Sequence, residues 1–273
     1  MSDAPAKDTT QSLPLSMCLS DWPQTPVDVP GDVPERYFGV WSRTLLETPQ
    51  GRDTQTLVRW MQLGQWHVDL RVPADSDAAR ASLQGFSGIT RITAVDTASG
   101  VQEMCTWQRL VDFQPPTPSV DEGWMVFETP ERVLETGIHA TYFEVWDRLP
   151  GSTGRRIAVT EPARADGLPA TRLFVSGHYL MRVRPAAPLS PAFEISFGTW
   201  RDGLFAIEAS TVSELTSCQT PLQIRPIDKV RAEVEMEGIT ATWDVLEWAD
   251  GAIVPGAWLH CQPCPQTRSS RCC

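Results

Sequence analysis

Three side chains in one short stretch, His67, Asp69 and Arg71, have the types and spacing to do proton chemistry. In an extended chain, positions i, i+2 and i+4 share a face, so an imidazole, a carboxylate and a guanidinium line up. A carboxylate beside a histidine sets its tautomer and raises its basicity, which is how general bases are built. Against this stands the intervening set, Trp66, Val68 and Leu70, which claims the opposite face as the apolar one. The apolar face of a small barrel belongs inside, so the triad is expected to point outward as a structural hydrogen-bond cluster, with catalysis the alternative. A second group, Glu135, His139, Glu144, Asp147 and Arg148, surrounds what reads as a domain junction. Carboxylates and a histidine at a seam could form an acid-base site, because pockets favour domain interfaces. The plainer expectation is an interdomain polar network. His260-Cys261-x-x-Cys264, followed by Cys272-Cys273, invites a zinc reading. One CxxC and an adjacent pair do not make a zinc motif, so no metal is expected. Without a Gly-rich phosphate loop, GxSxG or HExxH, no cofactor is expected either.

The elements that must carry these residues are strands. Between Leu57 and Val72 the even positions Val58, Trp60, Trp66, Val68, Leu70 and Val72 are apolar, and Arg59, His67, Asp69 and Arg71 are polar. Period-two alternation marks a half-buried antiparallel strand, and Gln62-Leu63-Gly64-Gln65 supplies a hairpin turn. Leu173, Val175, Tyr179, Met181 and Val183 repeat the scheme around Ser176-Gly177. Further strands are predicted at residues 83–92, 104–113, 123–128, 132–136, 193–200, 204–209, 229–236, 238–248 and 252–258. Residues 75–82, with acidic positions at their start, are the best candidate for a short helix.

The chain also repeats itself. Tyr37-Phe38-Gly39-Val40-Trp41-Ser42-Arg43 returns as Tyr142-Phe143-Glu144-Val145-Trp146-Asp147-Arg148, and residues 65–73 return as 178–185. A repeat this long is a duplicated domain rather than a solenoid unit. The expected organisation is a Pro-rich lead-in at 1–35, a first barrel at 36–139, a second at 140–260 and a Cys-rich tail at 261–273. With no long linker between them, the barrels are expected to pack together. The repeated Arg43 and Arg148 are expected to pair with acids near a barrel end.

Trp66-His67-Val68-Asp69-Leu70-Arg71, together with Glu135-Thr136-Gly137 and Tyr142-Phe143-Glu144-Val145-Trp146, resembles a family of lipocalin-like double-barrel proteins. That family includes the yeast casein-kinase-interacting protein. The resemblance covers roughly residues 36–260 and implies an all-β fold of two tandem lipocalin-like antiparallel barrels. It brings no established activity and no catalytic residues, and the lead-in and tail fall outside it.

Composition narrows the function. A formal net charge of −11 over 273 residues argues against a nucleic-acid partner or an anionic membrane surface. No apolar run is long enough for a membrane span, and residues 1–8 lack the basic and hydrophobic regions of a secretory signal. Seven scattered cysteines suit a reducing cytoplasm better than a disulfide framework. Eleven tryptophans suit barrel cores and apolar pockets. The leading expectation is binding of a small hydrophobic molecule in a barrel lumen, by Trp60, Trp66, Val68 and Leu70 in one barrel or Tyr179, Met181 and Val183 in the other. The alternatives are a cofactor-independent isomerase, decarboxylase or cyclase drawing on His67, Asp69, Arg71, His139 or Glu144, and a protein-binding adaptor with solid barrels.

Overall fold

A computed structural model describes residues 33–74, 82–113, 120–162, 170–185 and 193–251. Within them the chain is all-β. The first sheet runs through β1 (Gly39–Thr48), β2 (Gly51–Asp53), β3 (Leu57–Gln62), β4 (Trp66–Val72), β5 (Gln84–Thr97), β6 (Gly100–Asp112), β7 (Asp121–Thr129), β8 (Arg132–Gly137) and β9 (Phe143–Arg148). Its order is β2-β1-β3-β4-β5-β6-β7-β8-β9, and β9 pairs back onto β1 to close the ring. The second sheet is a closed eight-stranded barrel of β10 (Arg155–Thr160), β11 (Arg172–Ser176), β12 (Tyr179–Pro185), β13 (Phe193–Arg201), β14 (Leu204–Ser210), β15 (Gln219–Pro226), β16 (Arg231–Met236) and β17 (Ile239–Asp250). Among the described residues no helix is long and apolar enough to cross a membrane.

Both rings run up and down in sequence order and carry irregularities at matching places. Each closes through a bulged pairing of its first strand with its last. Each also shifts register at a glycine, Gly88 in β5 and Gly198 in β13. A Cβ at Gly88 would sit 1.9 Å from the carbonyl oxygen of Gln108, and one at Gly198 equally close to that of Ala206. Bulges of this kind bend a sheet far enough to close it.

The repeat, however, does not mark the start of each barrel. Residues 37–43 and 142–148 belong to the same ring and pair with each other, Trp41 opposite Arg148 and Arg43 opposite Trp146. The first barrel therefore extends to Arg148, beyond the boundary at 139 read from the sequence, and the second begins at Arg155. The strand expected at 252–258, the lead-in to residue 32, the tail and all but the last residue of the helix expected at 75–82 lie outside the described residues. Strands β10 and β15 escaped the sequence reading. In β10, Ile157 to Thr160 are all buried, so alternation is absent, and β15 carries Pro221 and Pro226.

The inward and outward faces of β4 and β12 are the main correction. Trp66, Val68 and Leu70 do not line a lumen. They form the seam between the barrels with Tyr179, Met181, Val183 and Phe174, and the rings of Trp66 and Phe174 lie 6.4 Å apart. Residues Trp66 to Leu70 are buried without a break, because one face meets the partner barrel while the other faces the lumen. A strand buried on both sides has no polar face to give to water, so its charged residues turn inward. The second lumen is filled by Val159, Leu173, Leu180, Phe205, Leu222 and Trp243, among others, as small barrels usually are.

Candidate functional site

The first lumen is packed at one end only. Tyr37, Trp41, Val58, Trp60, Trp107, Met125, Val133 and Trp146 form an apolar plug. Within it Trp60 meets Trp107 and Trp146 edge-on at 5.6 and 5.7 Å. Beyond the plug lies a cavity of about 270 Å³. Arg43, Leu46 and Thr48 reach it from β1, Trp60 from β3, Asp69 and Arg71 from β4, Phe86 from β5, Trp107 from β6, Asp121 from β7, Glu135 from β8, and Glu144 and Trp146 from β9. Tyr142, just ahead of β9, completes the wall.

Register explains why these residues meet. Across the hairpin, Gln62 stands opposite His67 and Trp60 opposite Asp69, so the even face of β3 continues as the odd face of β4. Asp69 stands opposite Phe86, Trp107 opposite Asp121, Glu135 opposite Glu144, and Val133 opposite Trp146. Directly opposed residues share a face, so one lumen-facing set passes around the ring.

Most of the charge in this lumen is paired. Arg43 donates to Glu144 at 2.8 Å and to Asp53 of the short β2 arm at 2.9 Å. Arg71 donates to Asp69 at 2.8 Å. Arg109 donates to Asp121 at 2.6 Å and to Asp112 at 3.2 Å while lying 3.6 Å from the centre of the Phe86 ring. Glu135 differs. It is buried, and it accepts hydrogen bonds from the Tyr142 hydroxyl at 2.6 Å and the Trp146 indole at 3.0 Å. Among the described residues no arginine, lysine or histidine forms an ion pair with it.

Two glycines make room for this group. Gly123 and Gly137 stand opposite each other on β7 and β8. A Cβ at Gly123 would lie 2.8 Å from the Glu135 side chain, and one at Gly137 2.5 Å from the Tyr142 ring. Burial, and then the facing Glu144 carboxylate, push the Glu135 pKa from 4.5 up to about 8, against the Tyr142 hydrogen bond that lowers it. Burial lifts Glu144 as well, opposed by Arg71 and Arg43. Because Arg43 bonds directly to Glu144, the proton the pair retains at neutral pH sits on Glu135.

The other residues singled out from the sequence separate. His67 is fully buried and does not line the cavity; its ring lies edge-on to Phe86 at 5.8 Å. The Thr90 hydroxyl donates to Gln62 Oε1 at 2.7 Å, so the Thr90 oxygen accepts from His67 Nδ1–H at 3.1 Å. Thr90, not Asp69, fixes the His67 tautomer, and Asp69 is committed to Arg71. Burial and the Arg109 charge lower the His67 pKa to about 3, so it stays neutral at physiological pH. The triad expected to face outward thus faces inward, with His67 as a structural member. His139 is half exposed and lies 2.9 Å from Glu122, away from the cavity. Asp147 pairs with Arg132 on the outer face. Arg148 lies over Trp41 and donates to the carbonyls of Arg36 and Pro130, whereas Arg43 does pair with acids as expected. Of the junction residues, Glu135 and Glu144 alone line the cavity. Phe86, Trp107, Asp121, Tyr142 and Trp146 were missed as wall residues; the Gly123 and Gly137 gaps were the available signal. The Cys-rich tail lies outside the described residues, among which no three His, Cys, Asp or Glu side chains converge to hold a metal.

Comparison with family models, curated proteins and solved structures gives no match.

Proposed function

We propose that the first barrel binds a small molecule in its lumen, and that the second barrel is a solid support for it. The observation that carries this reading is an open cavity of about 270 Å³ walled by Trp60, Trp107, Trp146 and Phe86, in which the Glu135 carboxyl forms no ion pair among the described residues. Apolar walls with a few convergent polar groups are the common make-up of a small-molecule site. The occupant pairs a flat apolar body with a polar group that meets Glu135. Of the ligand-binding residues read from the sequence, Trp60 keeps that role in this proposal. Trp66, Val68, Leu70, Tyr179, Met181 and Val183 pass to the seam between barrels.

Native mass spectrometry of the purified protein and a Leu46→Trp variant tests the site. Leu46 lines the cavity from β1, and an indole there would fill the space without disturbing the plug. A co-purified mass on the wild type that is absent from the variant supports the reading. Equal loading of both proteins would place the ligand elsewhere.

A second reading, a cofactor-independent enzyme, is favoured by Glu135 alone. A carboxyl that keeps its proton near neutrality, oriented by Tyr142 and Trp146 beside a confined apolar space, has the properties of a general acid. Conversion of the co-purified molecule by wild type but not by Glu135→Gln would establish it.

A further inference from the structure

We propose that the occupant of this lumen is a small organic cation, an aromatic or alkyl ammonium, seated beside Glu135 and against the indole wall of Trp60, Trp107 and Trp146. This rests on the lumen being a binding site, and it names what the site selects.

Charge pairing gives the first reason. Arg43 is held by Glu144 and Asp53, Arg71 by Asp69, and Arg109 by Asp121 and Asp112. An anionic ligand would have to break the pairs that hold Arg43 and Arg109, each bound to two carboxylates, which leaves a carboxylate without its partner. Among the described residues Arg71, bonded to Asp69 through Nε alone, is the one guanidinium it could share. A cation breaks none of these pairs. It meets Glu135, the one lumen carboxyl among the described residues whose hydrogen bonds come only from neutral donors, Tyr142 and Trp146.

The aromatic surfaces give a second, independent reason. Arginine is laid over rings throughout this protein: Arg148 over Trp41 at 4.6 Å, Arg109 over Phe86 at 3.6 Å, Arg59 over Phe197 at 5.5 Å and Arg155 over Trp200 at 5.9 Å. Among the described residues none lies over Trp60, Trp107 or Trp146, the three indoles that wall the cavity. Indole faces attract cations more strongly than other side-chain rings, and the attraction grows when both are withdrawn from water. Three indoles beside a carboxyl make the arrangement by which ammonium groups are recognised. An inorganic ion would not use the indoles in this way, and no metal-ligand cluster is found among the described residues. The protein's net charge of −11 would also draw cations toward it.

The seat has a linked consequence. At neutral pH Glu135 carries a proton, and a cation binds the ionised form, so binding must release that proton. Below the Glu135 titration the affinity should therefore rise about tenfold per pH unit, and it should level off above it.

The test titrates the intact protein with 2-phenylethylamine, a cation at neutral pH, against 2-phenylethanol and phenylacetate, which are neutral and anionic molecules of similar shape. Tryptophan fluorescence reads binding. Calorimetry in two buffers of different ionisation enthalpy reads proton release. The inference expects the amine to bind at least about tenfold more tightly than the alcohol at pH 8 to 9. It also expects release of about one proton at pH 6 to 7, with both effects lost in Glu135→Gln, whose far-UV circular dichroism should match the wild type. Equal binding of amine and alcohol without proton release overturns the cation and leaves the lumen site standing. Tighter binding of phenylacetate overturns it too. If none of the three binds at millimolar concentration, and Leu46→Trp does not alter co-purified mass, the lumen reading falls with it.

Discussion

Replacing Glu135 with glutamine should change how stability depends on pH. Moving a carboxyl from 4.5 to about 8 means the folded protein holds this proton more tightly than the unfolded chain does. The stability linked to it is complete below the unfolded value, declines as pH rises, and is gone once the folded group has ionised. At about 1.4 kcal/mol for each pH interval, the wild type loses about 5 kcal/mol between pH 4.5 and pH 9 through this one group. Glutamine cannot ionise, so the variant escapes that loss. It carries instead a fixed penalty of about 1 to 3 kcal/mol, because its amide cannot accept from both Tyr142 and Trp146. Glu135→Gln should therefore be less stable than the wild type near pH 5 and more stable near pH 9. Urea denaturation followed by tryptophan fluorescence at intervals across this range measures the difference directly, and the titrating groups other than the facing Glu144 cancel in the comparison. A variant whose free energy stays parallel to the wild type, within about 0.5 kcal/mol from pH 5 to 9, would refute the placement of the proton.

Gly123→Ala should have a related effect without touching the carboxyl. A methyl group 2.8 Å from the Glu135 side chain forces it out of its slot, and the pH dependence just described should shrink in the same denaturation series. Gly88→Ala places a methyl group 1.9 Å from a backbone oxygen, which only separation of β5 from β6 relieves; a loss of about 3 kcal/mol or more is expected in thermal unfolding. A melting temperature within a degree of wild type would contradict the bulge geometry. Trp66→Ala opens a void between the barrels and should cost about 3 to 5 kcal/mol while leaving lumen binding intact. His67 should remain a neutral Nδ1–H tautomer by nitrogen NMR down to about pH 4, its folded value being about 3. The stability this depressed value supplies is present above pH 6.5 and declines as the solution is acidified. A His67 titration near 6.5 would remove it from the buried network.

Much of this molecule was legible from residue order. Alternation between Leu57 and Val72, recurring at 173–183, predicts strands, and their number predicts barrels. Both follow from the chain's own covalent period, in which successive side chains leave a strand on opposite sides. Glu144 could be marked as a candidate, as could Glu135 at the junction. Neither could be shown to meet the other, because the contact depends on β8 and β9 lying side by side with Glu135 opposite Glu144.

The repeated YFxVWxR segment shows the limit of local likeness. Similar residues at 37–43 and 142–148 suggest two beginnings, yet they are the two ends of one ring, alike because they line the same closing seam. The faces of β4 were decided the same way. Sequence alone establishes that Trp66, Val68 and Leu70 share one side and His67, Asp69 and Arg71 the other. Which side is the lumen depends on what covers the outside, and here a second barrel does. With apolar surface demanded by that neighbour, the polar set was left for the interior, where pairing and a single protonated carboxyl make its burial tolerable. Period and composition are properties of the chain; inside and outside are properties of the packed pair.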